Sequence, residues 1–231
     1  MRYFFFYLLV FSFSLNTYAE LSPEEIDAWF NNDKLELPEE ATVKGKELQF
    51  ISQPQKKDIP VTEKTYRINT SSVTTGWVFI EQCYRNLDPV PRLEVVYNYQ
   101  HMRNLKVTQQ HHVGKLWIAD QTVQMEDLTK GASICTSAEV KILRHTDEDV
   151  YLLLAGPFKR KFLDGYYPMH VKIKMYYPAT QLVLHEMYPR AAPGFAITQE
   201  TGLIKIDTYF SGELHLAMSF KKYQKPSGNN E

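Results

Sequence analysis

The sequence predicts an all-β protein, an antiparallel β-sandwich or open barrel with one short N-terminal helix. From residue 65 onward, segments rich in β-branched and aromatic residues alternate apolar and polar side chains with a period of two. Turn-forming residues such as Ala192-Pro193-Gly194 and Ser211-Gly212 separate these segments at short intervals. Because no helical periodicity of 3.6 residues interrupts this run, the pattern favours antiparallel sheets over βαβ units.

The first nineteen residues are predicted to be an export signal peptide, 1–19. Arg2 precedes the uncharged apolar run Tyr3–Phe13, and the small residues Thr17 and Ala19 suit cleavage before Glu20. The run is shorter than the roughly 20 residues of a membrane-spanning helix. We therefore expect a protein of the bacterial periplasm, or a secreted or surface protein, with no transmembrane segment after cleavage. An uncleaved anchor or a buried N-terminal strand is the alternative.

Residues 20–62 are predicted to form a helix followed by an extended arm. The sequence Ser22–Glu25 supplies an N-cap serine, a proline at the first helical position and a glutamate that completes a capping box. Ile26, Trp29 and Phe30 then fall on one face of this helix. Such a short helix is stable only when its apolar face packs on another part of the protein.

The β domain is expected to span residues 63–222, with a disordered tail at 223–231. One predicted turn is Lys130-Gly131. The predicted strands are Trp77–Ile80, Leu93–Tyr99, Leu105–Thr108, Lys115–Ala119, Ser133–Leu143, Val150–Leu154, Met169–Tyr177, Leu182–Glu186, Leu203–Phe210 and Glu213–Phe220. A weak similarity between residues 114–120 and 202–207 leaves open two similar β halves, about 63–145 and 149–222.

The two cysteines, Cys83 and Cys135, are expected to form a disulfide in an oxidising compartment. Closing this loop would contribute on the order of 4 kcal/mol to stability. The alternative is a pair of reduced thiols that act as soft metal ligands. Neither cysteine lies in a CxxC motif, which disfavours thiol–disulfide catalysis.

The composition excludes some classes of function. The formal net charge is −1 at pH 7, with 26 Lys and Arg against 27 Asp and Glu. Nucleic-acid recognition usually needs a clear basic excess, so no nucleic-acid partner is expected. The sequence contains no GxSxG, HExxH, P-loop or dinucleotide-binding motif. An enzyme such as an esterase or glycosidase therefore has no support from any residue pair, and no cofactor is expected.

Several histidines lie near methionines, which raises copper as an alternative cofactor. The candidate ligands are His101, His170, His185, Met187 and His215. Imidazole and thioether groups together suit copper, in particular Cu(I). Neighbouring residues in a strand point to opposite faces, so among these pairs we expect only His185 and Met187 to share a face. The alternative places the methionines in the core and the histidines on the outside.

The segment Gly156–Pro168 is the strongest candidate for a ligand-binding or partner-binding site. It combines three consecutive cations with aromatic side chains between two predicted strands, and loops on a rigid β scaffold often carry binding residues. The candidate residues are Phe158, Lys159, Arg160, Lys161, Asp164, Tyr166 and Tyr167. The alternative is a long connection whose aromatic rings cover the core while its cations face water.

Together these patterns predict an exported binding or accessory protein without an evident catalytic site. Its partner would be another exported protein or a small anionic ligand. Two alternatives remain: a periplasmic copper-binding protein, and a carrier of lipids or other hydrophobic ligands in which a curved sheet encloses an apolar cavity.

Overall fold

The computed structural model describes residues 46–52, 59–146 and 149–223. The predicted leader, the predicted helix near the N-terminus and the predicted tail beyond residue 223 lie outside the described residues. The described residues all belong to one compact unit, 37–231.

Fifteen strands and one short helix form within the described residues. They are β1 (Gln49–Phe50), β2 (Val61–Arg67), α1 (Thr70–Thr75), β3 (Trp77–Leu87), β4 (Arg92–Val96), β5 (Met102–Ala119), β6 (Thr122–Lys141), β7 (Leu143–His145), β8 (Val150–Phe158), β9 (Lys161–Phe162), β10 (Gly165–Tyr166), β11 (Met169–Tyr176), β12 (Leu182–Tyr188), β13 (Phe195–Glu200), β14 (Leu203–Ser211) and β15 (Leu214–Lys222). The predicted all-β fold is confirmed, and it is sandwich-like, with no closed barrel in the described part of the chain.

Two sheets make up the sandwich. The larger has nine strands in the order β1-β14-β11-β2-β3-β6-β4, with β13 also beside β14 and β5 beside β6. The smaller has the order β12-β15-β8-β7, and β9 and β10 form a separate two-stranded hairpin. All pairings are antiparallel except that of β2 with β11, which is parallel. The larger sheet thus joins strands from before and after residue 149.

The first hydrophobic core lies where inward-facing residues of both sheets meet. In β11 the apolar residues Val171, Ile173 and Met175 are buried while the lysines between them are exposed. The sequence alternation predicted this arrangement, because successive side chains of a strand point to opposite faces. Burying one such side chain stabilises the fold by about 1.5–3 kcal/mol.

Strands β5 and β6 form a long hairpin that the sequence did not predict correctly. Two predicted strands are parts of the single strand β5, and the predicted turn at Lys130-Gly131 is wrong because both residues lie inside β6. Gly131 has φ 80° and His112 opposite has φ 55°, at a register shift between the strands. The His112 Nδ1 atom lies 2.8 Å from the Lys130 carbonyl oxygen. Gly131 is therefore part of a β-bulge within the hairpin, and it does not form a turn that reverses the chain.

A second hydrophobic core forms on this hairpin. Leu87 of β3, Val95 of β4, and Val123, Met125 and Ile134 of β6 are among its buried members. Within the described residues, no side chain of the four-stranded sheet belongs to this core. Side chains of the β4–β5 connection and of early β5 pack against both cores; they are Tyr99, Met102 and Leu105.

The short helix α1 was not predicted. Asn69 caps its N-terminus, since the Asn69 side-chain oxygen accepts a hydrogen bond from the Ser72 backbone at 2.9 Å. The Ser72 hydroxyl in turn accepts from the Asn69 backbone at 3.0 Å, and Gly76 ends the helix with φ 76°. Six residues are too few to show a 3.6-residue pattern, so reciprocal capping was the only available signal.

The expected disulfide is present. Cys83 of β3 and Cys135 of β6 lie directly opposite each other in the register of the two strands and are covalently linked. The bond therefore joins two neighbouring strands of the larger sheet beside the second core.

Candidate functional site

A row of three polar side chains crosses the inner face of the larger sheet. Lys64 of β2 lies opposite Gln82 of β3, and Gln82 lies opposite Thr136 of β6. The three residues are 5%, 5% and 2% exposed. On this face the next row, which contains Tyr66, is otherwise apolar. A polar row inside a sandwich core is unusual and needs an explanation.

Each member of this row contacts one tyrosine hydroxyl. The pairs are Lys64 with Tyr99, Gln82 with Tyr84 and Thr136 with Tyr97, at 2.7, 2.5 and 2.5 Å. Lys64 Nζ donates to Tyr99, and Gln82 Nε2 donates to Tyr84. Tyr97 and Tyr99 both lie in the connection between β4 and β5, which crosses over the row, whereas Tyr84 belongs to β3. The connection thus supplies two of the three tyrosine partners.

Three aromatic rings surround the Lys64 ammonium group. The Nζ atom lies 5.1 Å from the ring centre of Tyr66, 5.2 Å from that of Tyr99 and 5.5 Å from that of Phe158. Rings at such distances attract a cation through their negative faces. This cage favours the charged lysine but does not neutralise its charge.

Lys64 has no carboxylate partner within the described part of the chain. Its single hydrogen bond goes to the neutral hydroxyl of Tyr99. Burial lowers the pKa of Lys64 from 10.5 to about 7, because removing the ammonium from water disfavours its charged form. The side chain is therefore about half protonated at neutral pH.

The surrounding tyrosines stay neutral at physiological pH. Burial is the main cause that raises the pKa of each hydroxyl; the residues are Tyr66, Tyr84, Tyr97 and Tyr99. For Tyr66 the neighbouring Tyr99 raises the pKa further. Among the described residues, the site thus contains one group that titrates near neutral pH, Lys64, beside hydroxyl groups that keep their protons.

Two polar atoms beside Lys64 lack a well-formed hydrogen bond. Within the described residues, the side-chain oxygen of Gln82 is buried and has no hydrogen bond, and the buried Tyr66 hydroxyl interacts with Tyr99 without a hydrogen bond of good geometry. Leaving such a group unpaired costs about 1–3 kcal/mol. The ammonium, the Tyr66 hydroxyl and the Gln82 oxygen together offer donors and an acceptor to a small polar molecule.

The cations of the predicted binding segment are mostly engaged within the protein. Lys159 donates to Glu213 at 3.0 Å. Arg160 holds both carboxylate oxygens of Asp88, at 2.6 and 3.0 Å, and also donates to the Pro168 carbonyl. These contacts hold the segment against the turn after β3 and against Glu213, the residue before β15.

Glu213 is the centre of a compact polar cluster under this segment. Burial alone would raise the pKa of Glu213, but hydrogen bonds from His215, Lys159 and Tyr166 hold it at about 2. The Tyr166 hydroxyl donates to the Glu213 carboxylate at 2.9 Å. The hydrogen bonds of this cluster hold the segment in place on the rest of the protein.

The other residues of the predicted binding site take different positions. Lys161 Nζ lies 6.0 Å from the ring centre of Tyr166. The Tyr167 hydroxyl donates to Asp164 at 2.6 Å on the surface. Phe158, in contrast, is buried and forms one wall of the ring cage around Lys64. It is the member of the predicted site that reaches the polar row.

The candidate copper ligands lie on four separate parts of the fold. His101 precedes β5, His170 is in β11, His185 and Met187 are in β12, and His215 is in β15. His170 lies 2.6 Å from a carboxylate oxygen of Asp207. Among the described residues, no group of three or more His, Cys, Asp or Glu is placed to hold a metal ion.

The pair His185 and Met187 was expected to share a face, and this expectation is wrong. A bulge between Leu184 and Glu186 shifts the alternation of β12. As a result Leu184 and Met187 both pack against the first core, whereas His185 is exposed. An extra residue in one strand reverses the side on which all later side chains lie.

Two shallow depressions open on the β5–β6 hairpin. The larger, about 410 Å³, lies at the bulge after Arg103 and is lined by Phe79, Leu105 and Ser137, among others. The smaller, about 280 Å³, is lined by residues 107–110 and Leu116. Neither is lined by Lys64 or its tyrosines. A ligand therefore reaches Lys64 only if a covering side chain moves, and half-buried Tyr99 is the one that contacts it.

Little in the sequence indicates that Lys64 belongs to a site. Strand β2 carries polar residues on both faces, so Thr62, Lys64 and Tyr66 did not stand out as an inward row. The tyrosine pair Tyr97 and Tyr99 was the available signal, because two such residues at a spacing of two lie on one face of an extended chain.

No protein-family model and no curated protein matches this chain. In the described residues, none of the helical structure has the length and apolar character of a membrane span.

Proposed function

We propose that the protein is an exported binding protein whose ligand is a small anion held at Lys64. The observation that carries this proposal is a buried ammonium group with no carboxylate partner in the described residues. Buried charges in proteins are normally paired, because an isolated one is expensive to remove from water. An anionic ligand would supply the missing charge.

The energetic cost of Lys64 supports a functional role. With a pKa of about 7 in the fold and 10.5 outside it, the lysine destabilises the protein by about 4 kcal/mol at pH 7. Residues that cost stability without a structural gain are concentrated at functional sites. An anion beside Lys64 would offset part of this cost through a charge-assisted hydrogen bond.

The predicted segment at 156–168 contributes to this proposal through Phe158. Its cations Lys159 and Arg160 are paired with carboxylates of the same chain, so they are less free to capture a ligand. We therefore keep the predicted small anionic ligand, and we propose that it binds on the inner face of the larger sheet and not at the segment.

Isothermal titration calorimetry with sodium acetate and sodium phosphate at pH 6.5 tests the proposal. Wild-type protein is compared with Lys64→Met and with the matched control Lys174→Met, an exposed lysine of β11 in the same sheet. We expect at least one anion to bind wild type and Lys174→Met but not Lys64→Met. Equal binding by all three proteins, or binding by none, would overturn it.

A combined substitution of Lys159, Arg160 and Lys161 by alanine compares the two candidate binding sites, which are Lys64 and the predicted segment. Anion binding that survives this change but is lost in Lys64→Met supports the site at Lys64. The reverse result assigns the ligand to the predicted segment.

Export is tested by sequencing the N-terminus of protein from a periplasmic fraction, where the chain is expected to begin at Glu20.

A further inference from the structure

We infer that the ligand is a small monocarboxylate that carries a hydrogen-bond donor next to its carboxylate, as a 2-hydroxy acid does. This inference rests on the proposed function and narrows the class of its ligand. It follows from the number of charges at the site, from its unpaired polar atoms and from the rings that enclose it.

The charges at the site favour a single negative charge on the ligand. Among the described residues, Lys64 is the one cation within the ring cage, and the nearby Tyr66, Tyr84, Tyr97 and Tyr99 are neutral. Gln82 and Phe158 also lie beside Lys64, Thr136 lies in the same row, and none of the three carries a charge. A dianion such as sulfate or malonate would leave one negative charge buried without a partner, which is unfavourable.

The unpaired atoms indicate both a carboxylate and a neighbouring donor. Lys64 Nζ and the Tyr66 hydroxyl are donors that suit the two oxygens of a carboxylate. The Gln82 side-chain oxygen accepts hydrogen bonds only, and its amide nitrogen is already engaged with Tyr84. Because Lys64 and Gln82 are cross-strand neighbours on one face of the sheet, a single small molecule is able to contact both side chains.

The enclosing rings limit the size of the ligand. Tyr66, Tyr99 and Phe158 approach the ammonium group from three sides, with ring centres between 5.1 and 5.5 Å away. Tyr66 and Phe158 are buried in the first core, whereas Tyr99 lies in a connection flanked by exposed residues. The inferred ligand takes the place of the Tyr99 hydroxyl and is therefore small, without a long acyl chain.

The test compares anions that differ in one feature. Calorimetry at pH 6.5 measures the binding of 2-hydroxypropionate, propionate, malonate, sulfate and octanoate to wild type, Lys64→Met and Gln82→Met. We expect 2-hydroxypropionate to bind wild type about tenfold more tightly than propionate, because propionate leaves the buried Gln82 acceptor without a donor. In Gln82→Met the two should bind equally and still require Lys64.

Other outcomes overturn the inference in distinguishable ways. If wild type binds 2-hydroxypropionate and propionate equally tightly, the site does not require a hydrogen-bond donor next to the carboxylate. Tighter binding of malonate or sulfate shows that the site does not select a single negative charge, and tighter binding of octanoate shows that it accepts an apolar chain. If any of these anions loses binding in Lys64→Met, the proposed function stands although the inference fails. Binding of none of them refutes both.

Discussion

Replacing Lys64 by methionine is expected to stabilise the folded protein at neutral pH. Methionine fills a similar volume without a charge, so the variant removes the penalty of burying an ammonium group. That penalty is about 4 kcal/mol at pH 7, from pKa values of 10.5 in the unfolded and about 7 in the folded chain. The lost hydrogen bond to Tyr99 costs about 1 kcal/mol. The net gain is about 3 kcal/mol.

The dependence on pH gives a sharper test than the size of the gain. Between pH 7 and pH 10.5 the unfolded chain binds the Lys64 proton and the folded chain releases it, so wild-type stability rises with pH in this window. From pH 7 to pH 9 the contribution of Lys64 rises by about 2 kcal/mol. Lys64→Met lacks this contribution, and its advantage should shrink to about 1 kcal/mol at pH 9.

Urea unfolding followed by circular dichroism at pH 7, 8 and 9 measures these differences. Lys174→Met, on the exposed face of the same sheet, should follow wild type within about 0.5 kcal/mol at each pH. Parallel pH profiles for wild type and Lys64→Met would refute the reasoning. A variant less stable than wild type at pH 7 would do the same, because it would mean that Lys64 has a charged partner in solution.

Three further predictions concern other parts of the molecule. Acetate binding should weaken about tenfold from pH 6 to pH 8, since only protonated Lys64 attracts an anion and its pKa is about 7; calorimetry at both values checks this. Glu213→Gln should lower the free energy of unfolding at pH 7 by up to about 3 kcal/mol, and this difference should fade as the pH drops from 4.5 to 2, where wild type also protonates; acid titrations of both proteins would show profiles that converge. Replacing Cys83 and Cys135 by alanine should cost about 4 kcal/mol, because the disulfide closes a loop of 52 residues; a urea midpoint unchanged between the variant and wild type contradicts this.

The sequence was most informative where strands alternate without interruption. Strand β15 buries Leu214, Leu216, Met218 and Phe220 on one face, as the pattern predicted. In β5 the same reasoning failed, because three register shifts against β6 interrupt the period of two. An inserted residue reverses which side chains face the core, and neither propensity nor composition marks its position.

The candidate site was hidden from the sequence for a different reason. Pattern reading assigns polar residues to the solvent side, and Lys64 and Gln82 are polar residues on the buried side. Their burial depends on pairing between β2, β3 and β6, together with Tyr99 from a connection that has no regular structure. The cations of Gly156–Pro168 were predicted to bind a ligand because the sequence does not reveal that Asp88 and Glu213 lie beside them.

The bent β5–β6 hairpin implies an order of assembly. Its two strands follow each other along the chain, so they meet at a small loss of chain entropy, whereas β2 must find β11 about a hundred residues later. We therefore expect the amides of β5 and β6 to gain protection from hydrogen exchange before those of β2 and β11 during refolding. The connection that carries Tyr99 is then attached to a folded β5–β6 hairpin before the remaining strands of the sandwich pack around Lys64.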